Sequence, residues 1–521
     1  MTRHTTGLEP LTSGCKGTAF RDPRGGSWLG DRRRRTVVLN EEGMLGSSRL
    51  RTLGVVIGMA LLGTPFPPSL ASVATRPMPV AAPLATASTD RAGCVSETGT
   101  HGACVDGTAL DGASGVTLSP DGMNLYAASE TSRSVSVFAR NLGTGAITQL
   151  PGKEGCVSDS GTGGACADGR ALVGPRSIVV SPDGKNLYFP STTSSAIAVF
   201  ARDRTTGVLR QLVGTRGCVS DGGRNGCALG RALAGARSAA VSPDGTSVYV
   251  VSFFSDAVAA FARNRRTGAL TQLAGRAGCI SDTGNGGACS HGVALNGARS
   301  VVVSPDGSNV YVASETSGAV AIFTRNHTTG ALTQLRGAAG CVSQTGSGGD
   351  CIDATALGGA GGIAISRKGG YLYVASLSSD AVAVFSRGRL SGALRQLPGK
   401  AGCVSETGNR GACADGKALD RARYVSISPD GSSVYVAAEA SNAVAIFSRD
   451  PATGTLTQLA GRAGCLSDTG SSGACADGTA LGAARAVSVS SDGKTVYAAS
   501  FASSAVSIFS RDPVTGALTQ L

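Results

Sequence analysis

Short runs of apolar and β-branched residues follow one another along this chain, broken by Gly, Pro, Asp and Ser, and the order of the runs recurs. One unit, residues 278 to 335, reads GCISDTGNGGACSHGVALNGARSVVVSPDGSNVYVASETSGAVAIFTRNHTTGALTQL. It predicts four strands. The first is Arg299 to Ser304, rich in β-branched residues, and the second is Asn309 to Ser314, alternating polar and apolar. The third is Ala319 to Arg325, and the fourth is Ala331 to Leu335. Runs this short, rich in Val, Ile, Tyr and Phe, make strands rather than helices. Ser304-Pro305-Asp306-Gly307 supplies a hairpin turn, with Pro where φ is already about −65° and Gly where positive φ is needed. Thr329-Gly330 closes a second hairpin between strands three and four. Successive strands therefore alternate in direction, giving one four-stranded antiparallel sheet per repeat.

The cysteines set the period. Fourteen of fifteen fall in pairs, led by Cys94, Cys156, Cys218, Cys279, Cys341, Cys403 and Cys465, so repeats begin near these residues. A fixed long period marks one structural unit stacked on its neighbours. Seven four-stranded sheets around an axis make an all-β, seven-bladed β-propeller over residues 94–521. The aromatics agree: strand two carries one Tyr per repeat (Tyr126 to Tyr497) and strand three one Phe (Phe138 to Phe509), placed for cores between blades. The sequence ends on a fourth strand and the first repeat opens on its cysteine loop. Ring closure is therefore expected without a strand shared between the first and last repeats.

The first 93 residues lack the repeat. Two arginines, Arg49 and Arg51, precede an apolar stretch from Leu53 to Gly63, and small residues follow at Ala71 and Ala74. That order is a secretory signal over 44–74, too short to span a bilayer as a stable helix. Such signals begin a chain, so translation is expected to start at Met44, leaving 1–43 untranslated or disordered. Removing Cys15 with that stretch leaves an even fourteen cysteines. A twin-arginine signal at Arg32 to Arg35 is the rival reading. Residues 75–93 form an Ala/Pro-rich leader. The first 93 residues carry 12 Lys and Arg against 6 Asp and Glu, half of the net charge of +12. The scattered basic residues of the repeats are no nucleic-acid footprint.

A secreted, periplasmic or cell-surface location and an even cysteine count argue for disulfides. The simplest connectivity pairs each loop internally: Cys94–Cys104, Cys156–Cys166, Cys218–Cys227, Cys279–Cys289, Cys341–Cys351, Cys403–Cys413 and Cys465–Cys475. Each closed loop of this size contributes about 2.5 to 3 kcal/mol in the chain-entropy model. Zinc sites favour closer cysteines with further ligands, and His enters only two loops, at His101 and His291. Loop acids such as Asp159, Asp282, Glu406 and Asp468 suit Ca²⁺ or plain solvation, and solvation is the reading adopted. No metal and no cofactor are expected.

Strand direction puts the cysteine loops and the strand two–three loops on one face and the S-P-D-G and T-G turns on the other. Just before strand one, five repeats place an arginine: Arg176, Arg237, Arg299, Arg423 and Arg485; repeats one and five have Ser114 and Gly361. After strand two, three repeats carry a glutamate, Glu130, Glu315 and Glu439. A partial ring of guanidinium groups at a channel mouth suits carboxylates or phosphates. The bland alternative is that each Arg merely staples blades together. Repeat five also has Ser366-Arg367-Lys368-Gly369 in place of S-P-D-G. No G-x-S-x-G elbow, phosphate-binding Gly-Lys-Thr loop or H-E-x-x-H occurs.

The strings A-R-S-V-V-V-S-P-D-G-S-N-V-Y-V-A-S (298 to 314) and A-V-A-I-F-x-R with T-G-x-L resemble the seven-bladed β-propeller lactonases, 6-phosphogluconolactonase-like, and the related YVTN-type surface repeats. The resemblance implies a propeller channel lined by Arg and acidic groups, with an Arg-His pair before strand one. Here Ser177, Ser238, Ser300, Tyr424 or Ala486 follows the Arg. The near-identity of seven loops favours a secreted or cell-surface binding scaffold, taking an anionic small molecule, glycan or protein on the cysteine-loop face. The alternative is a lactonase-like hydrolase acting on an anionic sugar lactone in the central channel, with Glu130, Glu315 or Glu439 as base. Asymmetry among the blades decides between them, because a catalytic site needs unique residues on particular blades. The chain gives no oligomeric state.

Overall fold

The computed structural model describes residues 93–521, which form seven sheets, one per repeat, arranged as a seven-bladed β-propeller. The expected start at Met44, the signal over 44–74, the leader and Cys15 lie outside the described residues. In the fourth blade the strands are Ala298–Val303, Asn309–Ser314, Ala319–Arg325 and Leu332–Gln334, close to the predicted spans. Strand two is buried along its whole length and strand three nearly so. Both faces pack against neighbouring blades, so Val, Ala and Tyr run almost without interruption instead of alternating with polar residues. Gly307 turns the S-P-D-G hairpin at φ 72°, while Asp306 accepts the N–H of Ser308.

Each sheet has more strands than the four predicted, for a reason visible in strand three. That strand has seven residues and strand four only three, which leaves half of its outer edge unpaired. The next cysteine loop fills the gap: Cys341–Ser343 pairs with the first half of Ala319–Arg325, and Ile352–Asp353 then adds in parallel. Covering the edge satisfies its N–H and C=O groups and removes a template for aggregation. The disulfide of each loop ties these two outer strands, with Cα atoms 4.8 Å apart in all seven pairs.

This edge-filling overturns the expected ring closure. A cysteine strand belongs to the sheet of the preceding repeat, so the strand that opens repeat one has only the seventh blade to join. Cys94–Ser96 pairs antiparallel with Ala505–Arg511, Cys94 opposite Ser507 and Ser96 opposite Ala505. The first and last repeats therefore share a sheet, which closes the ring.

The apolar core lies between blades. One cluster joins Tyr126 and Val137 of blade one to Leu187, Phe189 and Phe200 of blade two, and another joins Tyr497 and Ile508 of blade seven to Leu125 and Phe138 of blade one. A polar staple accompanies each core. The Arg that ends strand three donates from Nε to the hydroxyl of the preceding blade's Tyr, as Arg387 does to Tyr311 at 2.7 Å. That hydroxyl in turn donates to a glycine carbonyl in the turn between strands three and four of the next blade, Gly392 at 2.7 Å. The same Arg reaches the preceding blade's turn Asp: Arg140–Asp492, Arg202–Asp121, Arg263–Asp183, Arg325–Asp244, Arg387–Asp306 and Arg511–Asp430, at 2.8 to 3.0 Å.

Candidate axial site

Strand one of each blade lines the axis, and in six of the seven its second residue sits on a β-bulge. Ala298 pairs with Ser314 and Ser300 with Ala313, leaving Arg299 over; the same shift occurs at Arg237, Arg423 and Arg485. All four lie inside strand one, where the predicted span had already placed Arg299, rather than just before it. The bulge re-aims the extra side chain, which is why they converge. Arg176 arrives by another route. Pro175 and Pro190 lack N–H donors, so the first strand of blade two shrinks to Val179–Val180. All five arginines line one cavity with Glu130, Ser114, Gly361 and Tyr424. The guanidinium ring predicted from the sequence therefore assembles. Its enclosed volume is about 70 Å³, and a channel of about 480 Å³ lined by Ser177, Ser238, Ser300 and apolar strand-one residues shares its walls.

The carboxylates divide unequally among the arginines. Glu130 bridges Arg176 at 2.9 Å and Arg485 at 3.0 Å. Glu439 bridges Arg423 and Arg485 and also meets the exposed Arg421 at 3.7 Å. Glu315 pairs with Arg299 alone. Arg237 has no carboxylate partner among the described residues; its guanidinium lies over the Phe253 ring, 4.9 Å from the centroid. Burial, with the like charges of Arg176 and Arg423, pulls Arg237 down to about 10, against Glu315 and Glu130. It remains a cation at neutral pH. Burial also lowers Arg176, Arg299 and Arg423. Burial alone would raise Glu439, but Arg423 and Arg485 hold it below the usual carboxylate range. Five guanidinium groups against three carboxylates leave an excess of positive charge focused on the Arg237 side.

The position after strand two, read in the sequence only where it is Glu, also matters in three blades that lack Glu there. Phe253 and Phe501 stack against Arg237 and Arg485, the latter with Cζ 3.5 Å from the ring centroid. Leu377 occupies the place in blade five, where a Cβ on Gly361 would meet it at 2.4 Å, so the missing Arg and the apolar plug go together. The signal was present: an aromatic or apolar residue where a glutamate stands in other repeats.

Other predicted features lie apart from this site. No cysteine-loop residue lines the cavity. The loops sit at the outer strands, so the arginines and the cysteine loops do not form one surface cluster. The first loop acid keeps some contact with solvent, being exposed at Asp468, and also has a structural partner. Asp159, Asp282, Glu406 and Asp468 accept the N–H of Leu172, Leu295, Leu419 and Leu481, and Gln344 does the same for Leu357. His291 lies in an outer loop strand and His327 by a hairpin turn.

A family model described as lactonase, 7-bladed beta-propeller, matches residues 282–347 and 412–467. No curated protein matches the sequence. Among solved structures, the periplasmic gluconolactonase of Pseudomonas aeruginosa is 20% identical, over 66% of this chain and 83% of that one, with a TM-score of 0.45. A protein from Lactobacillus plantarum is 21% identical, over 67% and 83%, with a TM-score of 0.46. The hydrazine synthase of Kuenenia stuttgartiensis is 15% identical, over 77% and 96%, with a TM-score of 0.47. In sequence motifs and in blade architecture, this chain resembles the lactonase propellers.

Proposed function

We propose that this protein is a lactonase-like hydrolase whose substrate is an anionic, sugar-type lactone bound at the axial mouth. The observation that carries this is the asymmetry of the site. The seven strand-one and strand-two positions combine differently, and a single unpaired guanidinium, Arg237, faces a cavity otherwise closed by ion pairs. A scaffold built on sevenfold repetition needs no such inequality. The lactonase family model points the same way.

Arg237 anchors the anionic group of the substrate. The enclosed volume of about 70 Å³ admits a few waters or one such group, far less than a site that swallows a sugar ring, so the ring lies in the open mouth above. Glu315 is the base best placed by charge: one arginine holds it, whereas two hold Glu130 and three hold Glu439, and its side chain is the most exposed of the three at 31%. Water adds its oxygen to the lactone carbonyl carbon as Glu315 takes the proton. Arg299 stabilises the resulting oxyanion. The ring C–O bond then breaks, and the proton passes to the departing ring oxygen, giving the hydroxy acid. The seven disulfides support a secreted or periplasmic location.

The test is proton release from disulfide-intact protein given phosphorylated, carboxylated and neutral lactones. Anionic lactones are expected to turn over. Arg237→Gln should raise KM roughly tenfold or more, and Glu315→Gln should lower kcat by about a hundredfold or more. Binding without turnover is the second reading, favoured by the ion pairing of all three glutamates. Tight association of anionic lactones with no hydrolysis above background would establish it and remove the enzyme reading.

A further inference from the structure

Six of the seven blade junctions carry the Arg–Asp staple described above; the junction between blades five and six does not. Lys368 stands where the turn Asp would be, and Tyr371 stands where the other blades have Asn, Ser or Thr. Both usual partners of the arginine Nη2 are therefore gone. In the neighbouring junction, Arg387 Nη2 meets Asp306 Oδ2 at 2.8 Å and Asn309 Oδ1 at 2.6 Å. Arg449 keeps only the rest of the staple: Nε to Tyr373, and Nη1 to the Gly431 carbonyl at 2.8 Å. Its Nη2 donates no hydrogen bond among the described residues. Arg449 is nevertheless only 7% exposed, with the rings of Tyr371 and Tyr373 at 5.4 and 5.7 Å from Cζ.

Arg449, with its Nη2 left without a partner, lines a cleft of about 520 Å³ on the face opposite the cysteine loops. Arg367, Lys368, Arg387 and Arg389 line it with Arg449, against one carboxylate, Asp430, which is committed to Arg511 at 2.9 Å. Arg387 is itself committed to Asp306. Arg367, Lys368 and Arg389 form no ion pair among the described residues.

We infer that this cleft is a second binding site, for a small organic acid, one of whose carboxylates takes the seat that the turn Asp fills in the other six junctions. A buried guanidinium facing an empty carboxylate position offers the charge-assisted, directional bonds that such an anion accepts. Lys368, Arg367 and Arg389 are free for further carboxylates, so a polycarboxylate fits better than a monoacid. Its occupation completes the only junction that the chain leaves without its acid. The site is remote from the axial cavity, shares no lining residue with it, and does not depend on the lactonase reading.

Calorimetric titration of the full, disulfide-intact chain with citrate tests this. Wild type should bind, and Lys368→Asp, which supplies the missing carboxylate from the chain, should weaken the binding roughly tenfold or more. The same variant should also raise the urea midpoint in the absence of citrate, since it rebuilds a junction that six other blades already use. Arg367→Ser should weaken citrate several-fold, whereas Arg237→Gln should leave this binding unchanged. Citrate binding that is equal in wild type and Lys368→Asp, or lost in Arg237→Gln, would overturn the proposal. So would the absence of citrate binding to wild type.

Discussion

A tyrosine in strand two looks like core packing, and its ring is. The hydroxyl does something the apolar pattern does not announce. Tyr311 accepts from Arg387 Nε and donates to the Gly392 carbonyl, both at 2.7 Å, joining blade four to two separate elements of blade five. Arg387 is buried, so its Nε has no water to fall back on. Tyr311→Phe keeps the ring and its volume but strands that donor and the glycine carbonyl. The expected cost is about 2 to 3 kcal/mol, since a buried partner of a charged group is left unsatisfied. Urea denaturation reads this as a lower midpoint at unchanged slope; a midpoint like that of wild type would show that the staple carries no stability. The F-x-R end of strand three and the Asp of S-P-D-G both stand in the sequence, but nothing local says that they meet across a junction.

At the scale of the strand, period and turn chemistry were legible and edge pairing was not. The S-P-D-G and T-G turns fixed the hairpins because their demands on φ are local. The cysteine strand's place in the preceding sheet depends on how much of strand three a three-residue strand four leaves uncovered, a comparison of lengths across the fold. The arginine ring was legible because five repeats place the same residue at one position. The bulge that aims it was not, since a bulge is a property of register between two strands. One consequence concerns the disulfides. Cys279–Ser281 is preceded along the chain by strand four of its own sheet, Leu270–Gln272, whereas Cys94–Ser96 joins blade seven with no covalent link to it. Replacing Cys279 and Cys289 with Ala should cost about 2 to 3 kcal/mol. Replacing Cys94 and Cys104 should cost more and speed proteolysis near the junction of blades seven and one, because a loosened strand there opens the ring. Equal costs and equal protease resistance would mean that closure rests on the interblade core alone.

A closed ring loads every junction at once, and the acid response follows from that. Burial pushes the six turn aspartates up, but hydrogen bonds from the turn serine, the backbone and the stapling arginine outweigh it and hold Asp121, Asp183, Asp244, Asp306, Asp430 and Asp492 below the usual carboxylate value. For a group whose folded value is depressed, the stabilisation is complete above the unfolded value, about 3.9, and disappears as pH falls through the folded one. These side chains are roughly a third exposed, so solvent screening keeps each contribution modest. The window is nevertheless shared. Protonating any one aspartate leaves a buried arginine of the next blade without its counter-charge, and a blade that slips loses its core on both sides. The urea midpoint should therefore stay level from about pH 8 to pH 5 and fall steeply below about pH 4, with all sheets lost in one transition. Far-UV circular dichroism along a pH series, with the disulfides intact, measures it. A midpoint that stays level through about pH 2.5 would show that the blades are held by their apolar cores and cysteine strands without help from the staples.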